Sequence, residues 1–202
     1  MMKRILLLIS VLAASLTLHA QNAAEARKVL DRAAATISLK TGAQAHFQYY
    51  GKKGVSTSGT ISIKGNKFQA ATPQAMVWYD GKTQWTYMKS SNEVNITHPS
   101  ESERMQMNPY SFLTLYKKGY KLSMKDKGSS SEIHLVAQQR SSIPEMYIIV
   151  DKSTHVPSHV KFLHSGSWST IVISGFKNKR LPNSAFSFNK SDFPHAEVID
   201  LR

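Results

Sequence analysis

The sequence predicts a mainly β protein of the α+β class, with one helix ahead of a long antiparallel meander. Three observations support this class. Apolar residues recur at helical spacing near the start of the chain, they alternate with polar residues over most of the remainder, and turns of a few residues separate the alternating segments. Connections this short cannot carry a parallel crossover, so we expect successive strands to be antiparallel neighbours.

The predicted helix covers residues 22–38. Asn22 can cap its start, and Glu25 stands three positions later, as in a capping box. The apolar stripe of this helix consists of Ala26, Val29, Leu30, Ala33 and Ile37. Gly42 follows as a stop signal, so the stripe is predicted to face the core over about four turns.

The meander is predicted in two parts. The first contains strands at His46–Tyr50, Thr60–Lys64, Lys67–Ala70, Met76–Tyr79, Gln84–Met88 and Glu93–Thr97. Its turns are assigned to Gly51, Gly54, Gly59, Gly65-Asn66 and Asp80-Gly81. The second part contains strands at Tyr120–Lys125, Glu132–Ala137, Glu145–Val150, His159–His164, Ser169–Ser174, Ala185–Phe188 and Glu197–Asp200.

A helical insert is predicted between the two parts of the meander. Pro99–Met107 favours one short helix, and Asn108-Pro109 is a cap and first-turn pair that starts a second over Tyr110–Tyr116. The insert carries too much apolar surface for a solvated loop. It is therefore expected to dock on the sheet, either as permanent core or as a movable lid.

The first residues predict export from the cytoplasm. Lys3 and Arg4 precede an apolar stretch at residues 5–18, and Ala20-Gln21 offers a small-residue cleavage point, so residues 1–20 are predicted to be a signal peptide. The mature chain, residues 21–202, is predicted to be one domain. The sequence contains no cysteine, which removes disulfides, thiolate chemistry and the residue that carries a bacterial lipid anchor. A soluble periplasmic protein is the expectation.

Composition and motifs argue against catalysis and nucleic-acid binding. The net charge is +13, but the expected compartment holds little nucleic acid, so transient contact with anionic membranes, acidic partners or simple solubility explains the charge better. The sequence lacks the G-x-S-x-G, P-loop, G-x-G-x-x-G and H-E-x-x-H motifs. His155 and His159 have helical spacing, but Pro157 lies between them, so no metal site is predicted. Neither a cofactor nor an enzymatic activity is predicted, and a secreted hydrolase is the less favoured alternative.

Several segments, taken in order, resemble those of one family. Gly65–Phe68 leads into Trp78–Trp85, which is similar to a strand pair joined by a D-G-K-x-x-W hairpin. The amphipathic insert around Asn108-Pro109 follows. The remaining matches are a D-x-x-T-x-x-P turn within Ile148–Pro157, an F-x-F strand within Leu181–Phe188 and a closing strand at Glu197–Asp200. Together these segments resemble the LolA family, the periplasmic carriers of bacterial outer-membrane lipoproteins, over essentially the whole mature chain.

This resemblance implies an incomplete antiparallel β-barrel covered by the N-terminal helix and a short helical lid insert. It implies a monomeric carrier that binds acylated lipoproteins or other lipids in a hydrophobic cavity. The implied partners are an inner-membrane lipoprotein-releasing transporter and an outer-membrane acceptor. Family members use an arginine to hold the lid; the matching position here is Lys64 or Lys67, and lysine lacks the planar donor fork of arginine.

The predicted cavity is lined by large apolar side chains of the sheet and the insert. The sheet residues are Phe47, Tyr49, Ile61, Ile63, Phe68, Trp78, Trp85, Tyr87 and Ile96. The insert residues are Met105, Met107, Phe112, Leu113 and Tyr116. Each of these residue types is also common in protein cores. The pattern therefore does not decide which of them line a cavity and which belong to the core. A lipid-sensing regulatory module that resembles RseB is the alternative function on the same fold.

Overall fold

A computed structural model describes residues 22–37, 40–100, 103–104, 110, 115–117 and 119–202. The predicted signal peptide and most of the predicted insert lie outside these residues. Within the described chain, residues 22–37 form one helix, α1, and twelve strands form one sheet. The strands are β1 (Ala43–Tyr50), β2 (Ser56–Lys64), β3 (Lys67–Ala71), β4 (Ala75–Tyr79), β5 (Gln84–Met88), β6 (Glu93–Thr97), β7 (Tyr120–Asp126), β8 (Ser130–Ala137), β9 (Glu145–Asp151), β10 (Pro157–His164), β11 (Ser167–Asn178) and β12 (Glu197–Asp200).

The sheet consists of two meanders placed side by side. Its order is β12-β6-β5-β4-β3-β2-β1-β11-β10-β9-β8-β7, so β1 and β11 join the first meander to the second. The described pairs are antiparallel except β12 with β6, which is parallel. Among the described residues β7 and β12 form the two edges and do not pair with each other. The predicted incomplete barrel with an N-terminal helix is confirmed.

Helix α1 packs on one face of the sheet, called here the inner face. Its buried side is Ala26, Leu30, Ala33 and Ile37, the spacing that brings side chains to one helical stripe. The start of α1 is tied to the edge strand β7: the Asn22 amide donates to the Met124 carbonyl oxygen at 2.9 Å, and the Met124 amide donates to Asn22 Oδ1 at 2.6 Å. This side chain occupies backbone groups that an edge strand otherwise leaves open.

The C-terminal segment, residues 179–196, crosses the opposite or outer face. It leaves β11 beside the start of β1, where the Leu181 amide donates to the Thr41 carbonyl oxygen at 3.0 Å. It then passes over β3 and β4 through a 3-10 turn at Asn183–Phe186. It ends by placing β12 alongside β6. The first meander is therefore covered on both faces.

Two predicted features differ from the structure. Gly59, predicted as a turn, lies inside β2. A glycine stands at this strand position because the backbone of β3 approaches so closely that no side chain fits there. Ala185–Phe188, predicted as a strand, begins within the 3-10 turn. The two phenylalanines of that segment pack on the outer face of the sheet. The segment adds no strand there, because β3 and β4, over which it passes, are already paired with neighbouring strands on both sides.

Candidate functional site

The inner face of the first meander is an apolar floor. Ile61, Ile63 and Phe68 are buried there, within the same cluster as the buried side of α1. Phe47 and Tyr49 share this face on β1, but they are only half-buried. The structure thus brings these five predicted residues together, and it leaves the two β1 aromatics incompletely covered.

The predicted insert is tied to α1 through Tyr116. Its ring is fully buried, its hydroxyl donates to Asp31 Oδ1, and the Arg27 guanidinium lies 5.9 Å from the ring centre. Burial, together with the hydrogen bond to the Asp31 carboxylate, raises the pKa of the Tyr116 hydroxyl above its ordinary value. The end of the insert is therefore held by the helix.

Two further insert residues reach the inner face. The Arg104 guanidinium donates to the Tyr79 hydroxyl at 3.1 Å, and the buried Tyr110 ring meets Phe176 edge-on at 6.5 Å. The Ser100 amide donates to a Glu103 carboxylate oxygen at 2.7 Å, as in a capping box, at the start predicted for the first insert helix. Met105, Met107, Phe112 and Leu113, which the sequence also assigns to the cavity, lie outside the described residues.

Four predicted cavity residues lie on the outer face instead. Trp78 pairs directly with Trp85 across β4 and β5, and Val77 and Tyr79 point to the inner face, so both tryptophans point outward. Tyr87 and Ile96 share that outer face through the same ladder. The fourteen predicted residues therefore do not line one wall, because the register of the hairpin divides them between two faces.

The outer aromatic residues are covered by the C-terminal segment. Phe193 meets Trp78 edge-on at 5.6 Å and Tyr87 at 4.6 Å, and Phe188 meets Trp78 at 5.8 Å. Phe186 is fully buried in the same layer. These contacts form a second apolar layer held entirely by this chain, so the Trp78–Tyr87 hairpin is a structural element of the outer face.

Lys64, the predicted lid latch, also points to the outer face. Its Nζ donates to the Leu181 carbonyl oxygen at 2.8 Å, while its neighbour Ile63 points to the inner core. Lys64 thus holds the C-terminal segment. Among the described insert residues, Arg104 contacts the first meander through the Tyr79 hydroxyl.

A cleft of about 230 Å³ opens beside the half-buried Tyr49. Tyr49 and Phe162 form part of its lining, and the Tyr49 hydroxyl lies 3.0 Å from Ser169 Oγ. The rest of its lining is Lys52, His164, Ser165 and Ser167, which makes the rim polar and free of carboxylates. Phe162 and Ser169 are not among the predicted cavity residues, although strict alternation along β10 and β11 assigns both to the inner face.

A polar corner interrupts the inner face at β5 and β6. Gln84 stands opposite Thr97, and Thr86 stands opposite Asn95, so all four side chains share the inner face. Gln84 is only 5% exposed. These four residues are not among the predicted site residues, because polar side chains in a strand pattern are typical of a solvated face.

The part of the chain that the structure describes contains no cluster of ionisable side chains suited to a metal ion. No three His, Asp or Glu side chains there are placed to hold a metal ion. His155 lies in the β9–β10 turn, whereas His159 contacts Ser158 on the outer face and His164 contacts the Ser142 carbonyl. Nor does the described chain contain a helix that is long and apolar enough to span a membrane.

The fold and the site define a class of binding protein: an open β-sheet whose apolar inner face is roofed by one helix and an insert. Residues 16–166 match the family described as outer membrane lipoprotein carrier protein LolA, and the chain belongs to this family. No sequence among curated proteins matches it.

Solved structures share the fold at low sequence identity. An uncharacterized conserved protein from Thermus thermophilus superposes with a TM-score of 0.60 at 16% identity, over 87% of this chain and 99% of that one. A lipoprotein-sorting protein domain from Vibrio parahaemolyticus superposes with a TM-score of 0.50 at 10% identity, over 85% of this chain and 99% of the other. These likenesses concern the fold alone.

Proposed function

We propose that this protein is a periplasmic carrier that binds the acyl chains of lipoproteins between the inner face and the insert, and shuttles them toward the outer membrane without catalysis. Residues 21–202 would act as one lipid-binding domain after removal of the signal peptide. An inner-membrane transporter and an outer-membrane acceptor would be its partners. Membership of the LolA family supports this proposal, because that family is described as a lipoprotein carrier.

The observation that carries the proposal is the pair of half-buried aromatics on β1. Phe47 and Tyr49 face inward yet are incompletely covered, and Tyr49 lines the cleft that contains Phe162. Each methylene that moves from water to an apolar site gains about 0.8 kcal/mol, so an acyl chain against these rings would be strongly favoured. Release needs a roof that can separate. The insert contacts the inner face through a polar bond from Arg104 to Tyr79, and it contacts α1 through the bond from Tyr116 to Asp31.

Cargo analysis tests the proposal directly. The mature protein is purified from its native periplasm, and bound molecules are identified by mass spectrometry. We expect acylated protein or lipid in stoichiometric amounts. A protein that is empty on purification, and that takes up neither an acylated peptide nor a fluorescent fatty acid, would refute the proposal.

A matched pair of variants locates the binding surface. Phe47→Glu puts a charge on the inner face, and Gln48→Glu puts the same charge on the outer face one residue away. We expect Phe47→Glu to reduce fatty-acid uptake at least tenfold, because a carboxylate is poorly solvated against an acyl chain. Gln48→Glu should leave uptake unchanged. Equal uptake by the two variants would place the site elsewhere.

A further inference from the structure

The amide of Gln84 has an unusual position on the inner face. Gln84 begins β5, stands opposite Tyr79 on one side and Thr97 on the other, and is 5% exposed. Its Nε2 donates to Thr86 Oγ1 at 3.2 Å. Among the described residues its Oε1 has no hydrogen-bond partner, although that atom is shielded from solvent.

This arrangement costs stability in the folded protein. A buried acceptor that has lost its water and gained no partner is destabilising. A methionine would fill the same volume without that cost, so the glutamine needs an explanation.

The surrounding side chains indicate which kind of hydrogen-bond donor would suit Gln84 Oε1. Thr86, Asn95 and Thr97 share the corner and are neutral. The Arg104 guanidinium lies close by on Tyr79, and Tyr79 is the β4 partner of Gln84. Because Thr86, Asn95 and Thr97 are neutral, a neutral N–H or O–H donor fits the unpaired oxygen without adding an uncompensated charge to the corner.

We infer that Gln84 Oε1 accepts a hydrogen bond from a neutral donor attached to the acyl chain of the cargo, either an amide N–H or a glycerol hydroxyl. This inference rests on the proposed function. It adds a selective polar contact to a site that otherwise binds by apolar burial, so cargo with a donor next to its chain is preferred over cargo without one.

Two ligands that differ at the donor give the sharpest test. N-methylpalmitamide carries one N–H, and N,N-dimethylpalmitamide carries a methyl group in its place. In competition against a fluorescent fatty acid, we expect the wild-type protein to bind the N–H compound about tenfold more tightly, the ratio that one such bond in a buried site supplies. Monopalmitoylglycerol against methyl palmitate tests the O–H source in the same way.

The variant Gln84→Met separates a ligand contact from a structural role. It should bring both ligand ratios close to one and raise the melting temperature of the empty protein, since it removes an unpaired buried group. Gln69→Met, on the outer face opposite Trp78, is the matched control and should leave the ratios unchanged.

The outcomes are distinguishable. Equal wild-type affinity for the members of both ligand pairs, or a preference that Gln84→Met leaves intact, overturns the inference alone. Failure of all four ligands to bind overturns the proposed function and this inference with it. If Gln84→Met does not fold, the wild-type comparison of the ligand pairs still decides.

Discussion

At Gly59 the backbones of β2 and β3 leave no room for a side chain. A Cβ built at this position would lie 2.1 Å from the Ala71 carbonyl oxygen, and Phe47 closes the space from the other side. A strand glycine usually weakens a sheet, but here it permits the close approach of two backbones beneath the half-buried ring of Phe47. The packing of the proposed binding floor depends on it.

Gly59→Ala is therefore expected to destabilise the protein by about 1–3 kcal/mol or more, because one strand must move away from the other. Urea denaturation measures the change in the free energy of unfolding. Ser58→Ala, on an exposed neighbouring position of β2, provides the control and should change stability little. A Gly59→Ala variant as stable as wild type would show that β2 and β3 tolerate the shift.

The aromatic hairpin shows what residue patterns can predict. Asp80 accepts hydrogen bonds from the backbone amides of Lys82 and Thr83, and Gly81 has φ of +107°, so the turn follows the sequence signal. The face of the tryptophans could not be predicted, because β4 is apolar on both sides. Trp78 faces outward because a segment more than a hundred residues away covers it, and alternation within a strand carries no information about such a distant partner.

At the scale of elements, the β9–β10 turn is organised by one carboxylate. Asp151 Oδ1 accepts hydrogen bonds from the hydroxyl and amide of Ser153 and from the amide and hydroxyl of Thr154. The Ser153 hydroxyl bond is the largest of the causes that lower the Asp151 pKa to about 2. This is the D-x-x-T turn of the sequence, and the bonds from Thr154 to Asp151 are the ones that the motif specifies.

A folded-state pKa below the ordinary value of 3.8 predicts a definite pH dependence. The turn is fully stabilised above pH of about 4, and this stabilisation is lost as the pH falls toward about 2, where the folded carboxylate becomes protonated. Melting temperatures measured between pH 2 and pH 6 should fall less steeply for Asp151→Asn than for wild type. Parallel slopes for Asp151→Asn and wild type would contradict the assignment.

Elements set by local periodicity were predicted well, whereas segments whose position depends on distant parts of the chain were not. The helix stripe and the strands of both meanders follow from local periodicity, and the structure places them close to the predicted residues. The F-x-F segment did not follow, because Phe186 and Phe188 alternate as in a strand but meet a sheet face instead of a sheet edge. Likewise Gln84 reads as an ordinary polar strand residue until its burial is known.

Considered as a whole, the molecule buries apolar surface on both sides of its first meander. The inner layer joins α1 and the insert to the sheet, and the outer layer joins residues 179–196 to the same strands. In the outer layer, Phe188 and Phe193 of the C-terminal segment pack directly on Trp78 and Tyr87. Under the proposed function, the outer layer would hold the sheet in shape while the inner face binds an exchangeable ligand.

Phe186→Ala tests this division of roles. Phe186 is fully buried on the outer face, so its truncation should cost about 3–5 kcal/mol of stability and lower the melting temperature. Loosening of the C-terminal segment should also expose Trp78 and shift tryptophan fluorescence to longer wavelength. Under conditions where the variant is still folded, its affinity for a fluorescent fatty acid should match that of wild type, because the inner face is formed by other side chains. A loss of fatty-acid binding without a change in fluorescence would show that the two faces do not act separately.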